Sequence, residues 1–204
     1  MKYLHWDYFL SLDSDLNEVS KFIEIHYDNF ETYSIQLTRL YLSACSEIDV
    51  IAKLFCDVVS PGQLQKITEK PGKSRYPNMV DYRKVITGSC PKFYKMTIDL
   101  PKYGFSVEPW IDYMNDKNPS WWCDYNDVKH NRDKFFYKAN LINTINAIAG
   151  LFVLAVYYYA DRNTGRFYHG IKFSPKVLAT ETYTEDMQWV YELYYLTPDK
   201  NETM

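Results

Sequence analysis

The 204-residue chain has only seven glycines, and none of them sits in a GxGxxG or GxxxxGK[ST] pattern. Loops that wrap a phosphate need glycine there so that backbone N–H groups can approach closely. The common dinucleotide and P-loop sites are therefore excluded, and the absence of GxSxG and HExxH removes the serine-hydrolase elbow and the zincin helix. The four cysteines, Cys45, Cys56, Cys90 and Cys123, form no CxxC pair and have no Cys/His spacing of the zinc-site kind. They read as reduced intracellular thiols, with no metal and no cofactor expected. No charge of one sign dominates either: 23 Lys+Arg against 26 Asp+Glu leave a net charge of -3. A global positive field for nucleic acid is thus missing, and any such contact has to be local.

An uninterrupted apolar run is absent from the N-terminus, where Asp7, Asp13 and Asp15 break it up. No signal peptide is read there, and a cytoplasmic location is expected. Between Lys138 and Asp161 no formal charge occurs, but Asn140, Asn143, Thr144 and Asn146 shorten the apolar part. It falls below the roughly 20 residues that a membrane span requires, so a buried core helix is expected and no membrane partner.

Aromatics are abundant, with 20 Tyr, 11 Phe and 5 Trp. That many tyrosines imply a mixed core in which rings are buried and hydroxyls are hydrogen-bonded or wet. Leu12, Leu16, Val19, Phe22 and Ile23 recur at helical steps and predict a first helix from about Asp15 to Ile25, capped by Asp13 or Ser14. Tyr33, Leu37, Leu40, Tyr41, Ala44, Ile48, Ile51, Ala52 and Phe55 predict a long second helix over 30–59, stopped by Ser60-Pro61-Gly62. Short helix 79–87 and long helix 136–159 are expected further on. Lys92 to Val107 reads as two short strands around Pro101, a hairpin inserted between helices. The stretch 166–184 carries strand-like pieces, and 185–196 shows no clear period. The fold expected is mainly α, one domain over residues 1–204, with an inserted segment 88–118 and a C-terminal extension 162–204.

Two stretches attract functional attention. In 63–77, Lys66, Lys70, Lys73 and Arg75 oppose only Glu69. They read either as a solvated loop or as a phosphate-contacting one. In 121–133, Asn126 and His130 share one helix face, as do Lys129 and Asp133, after a helix start read at Ser120 as cap and Trp121-Trp122. An amide, an imidazole and nearby cations can hold a phosphate and move a proton near neutral pH, although a His flanked by Lys and Arg also fits a plain surface position. Trp121, Trp122 and Tyr125 suit either a paired surface or a staple to the core.

A long helix carrying Ser46-Glu47-Ile48, a polar helix with Asn126-x-x-x-His130 and a long apolar helix together resemble the HEPN superfamily of helical nucleotide- and RNA-associated domains. The resemblance spans about 30–60 and 120–160. It implies an antiparallel helical bundle that forms a homodimer, binds RNA or a nucleotide or a partner protein, and belongs with bacterial toxin and phage-defence systems. In active relatives a metal-independent ribonuclease uses an Arg-x(4-6)-His motif. The resemblance implies catalytic roles for His130 and Asn126, with Glu47 as acidic partner; RNA contacts by Lys129, Arg132, Lys66, Lys70, Lys73 and Arg75 are expected where these cations converge into one positive surface. Where the motif has Arg, this chain has Tyr125. Tyrosine supplies one hydrogen bond but no forked permanent charge, so the expectation is a noncatalytic or weakly active RNA-binding or dimerisation module. The alternatives are a ribonuclease using His130 and a purely structural protein-interaction module.

Overall fold

The structure is a computed structural model that describes residues 3–160 and 175–179. Its helices are α1 Leu4–Val19, α2 Ile35–Val59, α3 Gln63–Thr68, α4 Met79–Ser89, α5 Ser120–His130, α6 Arg132–Phe135 and α7 Leu141–Tyr159. Two antiparallel hairpins complete it: β1 Glu69–Lys70 with β2 Lys73–Ser74, and β3 Ile98–Leu100 with β4 Phe105–Val107. The chain is mainly helical with a small β insertion between α4 and α5.

The core is built on α2 and α7, which form the most extensive helix pair. Along α2, Leu37, Leu40, Tyr41, Ala44, Ile48, Ile51, Ala52 and Phe55 make the buried stripe, and the opposite face stays polar. α7 is buried nearly all round from Leu141 to Tyr157, the signature of an interior helix. It is long and apolar enough to cross a membrane, yet 78% of its most apolar window is buried inside the protein. The aromatic content gathers around it in two clusters. Phe152 stacks flat on Phe9 at 4.7 Å, with Trp6 beside them. Phe93 meets Tyr157 at 5.0 Å and Trp110 at 5.5 Å.

Several helix ends differ from the sequence expectation, each for a local reason. α1 begins at Leu4, because Trp6 and Phe9 extend its buried stripe toward the N-terminus. It ends at Val19, where the Ser20 hydroxyl donates to Asn17 O and competes with the helical ladder. Phe22, expected on the stripe, is past the end and 88% exposed. α2 starts at Ile35 rather than at Phe30, because the Ser34 side chain accepts from Leu37 N at 3.1 Å. α7 starts at Leu141 rather than at Phe136, with Asn140 as its cap accepting from Asn143 N. The side chain of Ser120 caps nothing. Instead the Ser120 N–H, in the first turn of α5, donates to the Asp112 carboxylate at 3.0 Å.

The hairpin expected around Pro101 is present, paired Ile98 to Val107 and Leu100 to Phe105. Gly104 closes it at φ +71°, a left-handed conformation that favours glycine. The β1–β2 hairpin was not expected; Pro71-Gly72 turns it, with Gly72 at φ +74°. Residues 175–179 return to the body. The buried Asp13 carboxylate accepts N–H bonds from Lys176, Val177 and Leu178, and Ala179 pairs with Asp99 of β3. The rest of 166–184, and all of 185–196, lie outside the described residues. Cys45, Cys56 and Cys123 are free thiols.

Candidate functional site

The polar face of α2 is the floor from which a site can be built. Ser46, Asp49, Val50, Lys53 and Asp57 follow helical spacing, so they share one side of the helix. α5 runs alongside, with Trp121, Trp122, Tyr125 and Val128 turned into the core. Between α2, the start of α4 and α5 lies a cleft of about 510 Å³. Ser46 and Asp49 contribute from α2, Asn78 from the α4 cap, and Asn126 and Lys129 from α5. The Asn126 amide donates to Trp122 O at 2.9 Å, which fixes its orientation. Lys129 Nζ stands 5.5 Å from the centroid of the Tyr125 ring, a cation–π contact that holds it at the rim. Asp49 is hydrogen-bonded by Tyr82, whose phenol is pushed up first by burial and then by that carboxylate.

A second cleft, of about 610 Å³, continues along the same face of α2 and shares Pro77 with the first. Lys53 and Asp57 lie on its α2 side, Gln65 and Thr68 on α3, and Glu69, Ser74, Arg75 and Tyr76 on the hairpin and the strand that follows. Each cleft carries as many cationic as anionic side chains: Lys129 against Asp49, and Lys53 and Arg75 against Asp57 and Glu69. Exposed lysines flank them, with Lys66 on α3 and Lys73 on β2.

Of the proposed catalytic residues, Asn126 lines the first of these clefts. Glu47 is one position round α2 from Ser46, about 100° away, and faces α1. Its Oε1 is 2.5 Å from His5 Nδ1, in a corner where Tyr158 sits edge-on to the His5 ring and the Tyr159 hydroxyl accepts from His5 N. Among the described residues no hydrogen bond or ion pair joins Glu47 to Asn126 or His130. His130 ends α5 and is exposed. The expected relay of Glu47, Asn126 and His130 is not assembled, because helix periodicity turns Glu47 toward His5. The sequence carries no local cue to this pair, since His5 lies 42 residues from Glu47.

Tyr125 is a core residue, 6% exposed, with its ring 5.0 Å from Trp122 and 6.2 Å from Tyr41. Burial pushes its phenol up to about 12. Both tryptophans staple α5 to the core: Trp121 donates to Pro109 O at 2.7 Å, and the Tyr41 hydroxyl donates to Trp121 O. Asp124 and Asp127 are engaged too. Lys138 Nζ lies 2.7 Å from both Asp124 and Asp127, which hold it well above the usual ammonium range. Asn143 donates to Asp124 at 3.0 Å and completes the clasp between α5 and α7.

Of the cations expected to meet RNA, Arg75 is bound to the buried Asp81 through two bonds of 2.6 and 2.7 Å. Lys66, Lys73, Lys129 and Arg132 are exposed. Lys70 lies on β1, paired in register with Lys73. Three of the cysteine thiols are poor nucleophiles: burial raises Cys45 and takes Cys56 up to about 12, and burial followed by Asp124, Asp112 and Asp127 raises Cys123. Among the described residues no three His, Cys, Asp or Glu side chains converge on a point that could hold a metal. Comparison with protein families finds no match, and neither curated proteins nor solved structures give one.

Proposed function

We propose that this protein is a noncatalytic helical module, of the HEPN-like kind its helix pattern resembles, that binds single-stranded RNA along the polar face of α2. The observation that carries this reading is the joined pair of clefts, with a charge-balanced floor and a lysine rim. Rim cations suit phosphates, which position a strand, and a recessed floor of amides, carboxylates and aromatic edges suits unstacked bases, which specify it. Cleavage is not part of the proposal. The position where the resembled ribonucleases hold a phosphate-binding Arg is a packed tyrosine, and Glu47 pairs with His5. A second reading, a protein-interaction module, is favoured by Ile35, 82% exposed at the start of α2 next to the Tyr33–Phe136 contact.

Fluorescence polarisation with a labelled single-stranded RNA at several salt concentrations tests the reading, with cleavage followed in parallel in the presence of a chelator. Binding that engages three or four rim cations should lose affinity with a log–log salt slope of about -2 to -3. Lys129→Glu and Lys53→Glu should weaken it. No binding at low salt would remove the RNA reading and leave the interaction module. His130-dependent cleavage would make the protein an enzyme.

A further inference from the structure

Within the larger cleft, Arg75, Tyr76, Asp57 and Glu69 form a group that neither helix packing nor phosphate contact explains. The Arg75 guanidinium is fixed in its own plane: Nη1 and Nη2 donate to the two Asp81 oxygens at 2.6 and 2.7 Å, and Nη1 also donates to Tyr76 O at 3.1 Å. Asp81 is itself held, since it is buried and accepts from Asn78 N within the capping box of α4. With its edge engaged, the guanidinium has its flat faces left to offer a ligand, and its side chain is 44% exposed. Tyr76 follows it and is 92% exposed. Pro77 restricts the backbone of Tyr76 to extended conformations. A fixed cation face and an aromatic ring on one cleft edge are the parts of a stacking platform for a planar group.

The carboxylates of the cleft select among planar groups: Asp57 lies on its α2 side and Glu69 on the hairpin that leads to Arg75. Asp57 and Glu69 carry acceptor-only carboxylates. Glu69 takes one N–H from Gln65 at 2.8 Å, which leaves further lone pairs for a ligand. A phosphoryl group set against these two carboxylates would meet two like charges, and belongs nearer Lys53, whereas a neutral ring with amino or imino donors would satisfy them. Guanine presents two parallel N–H donors on its pairing edge and fits a carboxylate best. Cytosine and adenine present one amino group each. Uracil sets carbonyl oxygens on both sides of its single N–H and fits worst.

We infer that the cleft beside Tyr76 is a nucleobase subsite that seats one unstacked, amino-bearing base, guanine first, of the single-stranded RNA proposed above. The inference rests on the RNA reading, and the test separates the two. Labelled oligouridine eight-mers, either uniform or carrying one central G, C or A, are titrated against the full chain by fluorescence polarisation. The G-containing strand should bind about tenfold tighter than uniform U, with C and A between. Tyr76→Ala should weaken the G strand by about tenfold, and Tyr76→Trp should restore it. Asp57→Asn with Glu69→Gln should abolish the base preference, so that the four strands bind alike. Tyr76 is exposed, so its substitution leaves the fold intact, and circular dichroism of each variant verifies this. Equal affinities for all four strands, or a neutral Tyr76→Ala, would overturn the subsite while lysine-dependent binding kept the RNA reading. No binding of any strand at low salt would overturn both.

Discussion

Introducing arginine at position 125 is the substitution that most sharply separates a core residue from a position open to catalysis. Tyr125 is 6% exposed and its ring lies between Trp122 and Tyr41. Truncating a buried aromatic costs about 3–5 kcal/mol. The aliphatic stem of arginine recovers part of that, and the head can reach toward the cleft that Tyr125 lines, where Asp49 stands opposite and Lys129 close by. Partial desolvation of the guanidinium and repulsion from Lys129 act in the other direction. The balance is a loss of about 2–4 kcal/mol. In a chain of this length that lowers Tm by roughly 5–15 °C. Tyr125→Phe keeps the ring and should change stability by less than about 1 kcal/mol. Urea titration and thermal melting of both variants supply the measurement, with RNA cleavage followed in the presence of a chelator. A Tyr125→Arg protein as stable as wild type would refute the packing argument, and one that gained His130-dependent cleavage would show that only the arginine was missing.

Three further outcomes follow from the geometry. Glu47→Gln should reduce stability by about 1–2 kcal/mol, because it weakens the largely buried pair with His5, and should leave RNA affinity unchanged; an affinity loss at constant stability would return Glu47 to the site. Gly150→Ala adds a Cβ that would meet Trp121 Cζ2 at 3.1 Å and Trp110 Cζ2 at 3.4 Å, and Trp121 is tethered through Pro109 O. The helix-propensity gain of about 1 kcal/mol is outweighed by overpacking of about 1–3 kcal/mol, so denaturation should show a net loss. The Arg75 hydrogen bonds hold the Asp81 carboxyl below its ordinary value. Its contribution is therefore complete above the unfolded carboxylate range near about 4 and is lost as pH falls through the lower folded value, so Asp81→Asn should flatten the acid limb of stability against pH.

The helices that dominate the core were legible because their signal is long. The α2 stripe from Leu37 to Phe55 repeats over several turns, and the charge-free α7 has no other place than the interior. The ends were less legible, since they depend on single side chains such as Ser20, Ser34 and Asn140. The β1–β2 hairpin escaped because two-residue strands carry no period. In the candidate site, Asn126 and Lys129 were found from their helical spacing. Asp49, Lys53 and Asp57 were visible in the same way, as the polar complement of the α2 stripe, but attention to the buried side passed over them. His5 could not be found, because only the tertiary packing of α1 on α2 brings it to Glu47.

The segment 121–133 shows why a dense polar cluster is weak evidence for chemistry by itself. A short helix wedged between α2 and α7 has to bury one side and anchor its flanks, and here both tasks use residues that resemble a catalytic kit. Trp121, Trp122 and Tyr125 fill the core, and Asp124 and Asp127 hold Lys138. Once these are assigned, Asn126 and Lys129 remain toward the cleft, with His130 at the exposed end of the helix. An amide and an ammonium can position a strand through its phosphates. In the RNA reading proposed above, binding therefore falls to the α2 face and to the cleft beside Tyr76, which aromatic, cationic and acceptor groups line.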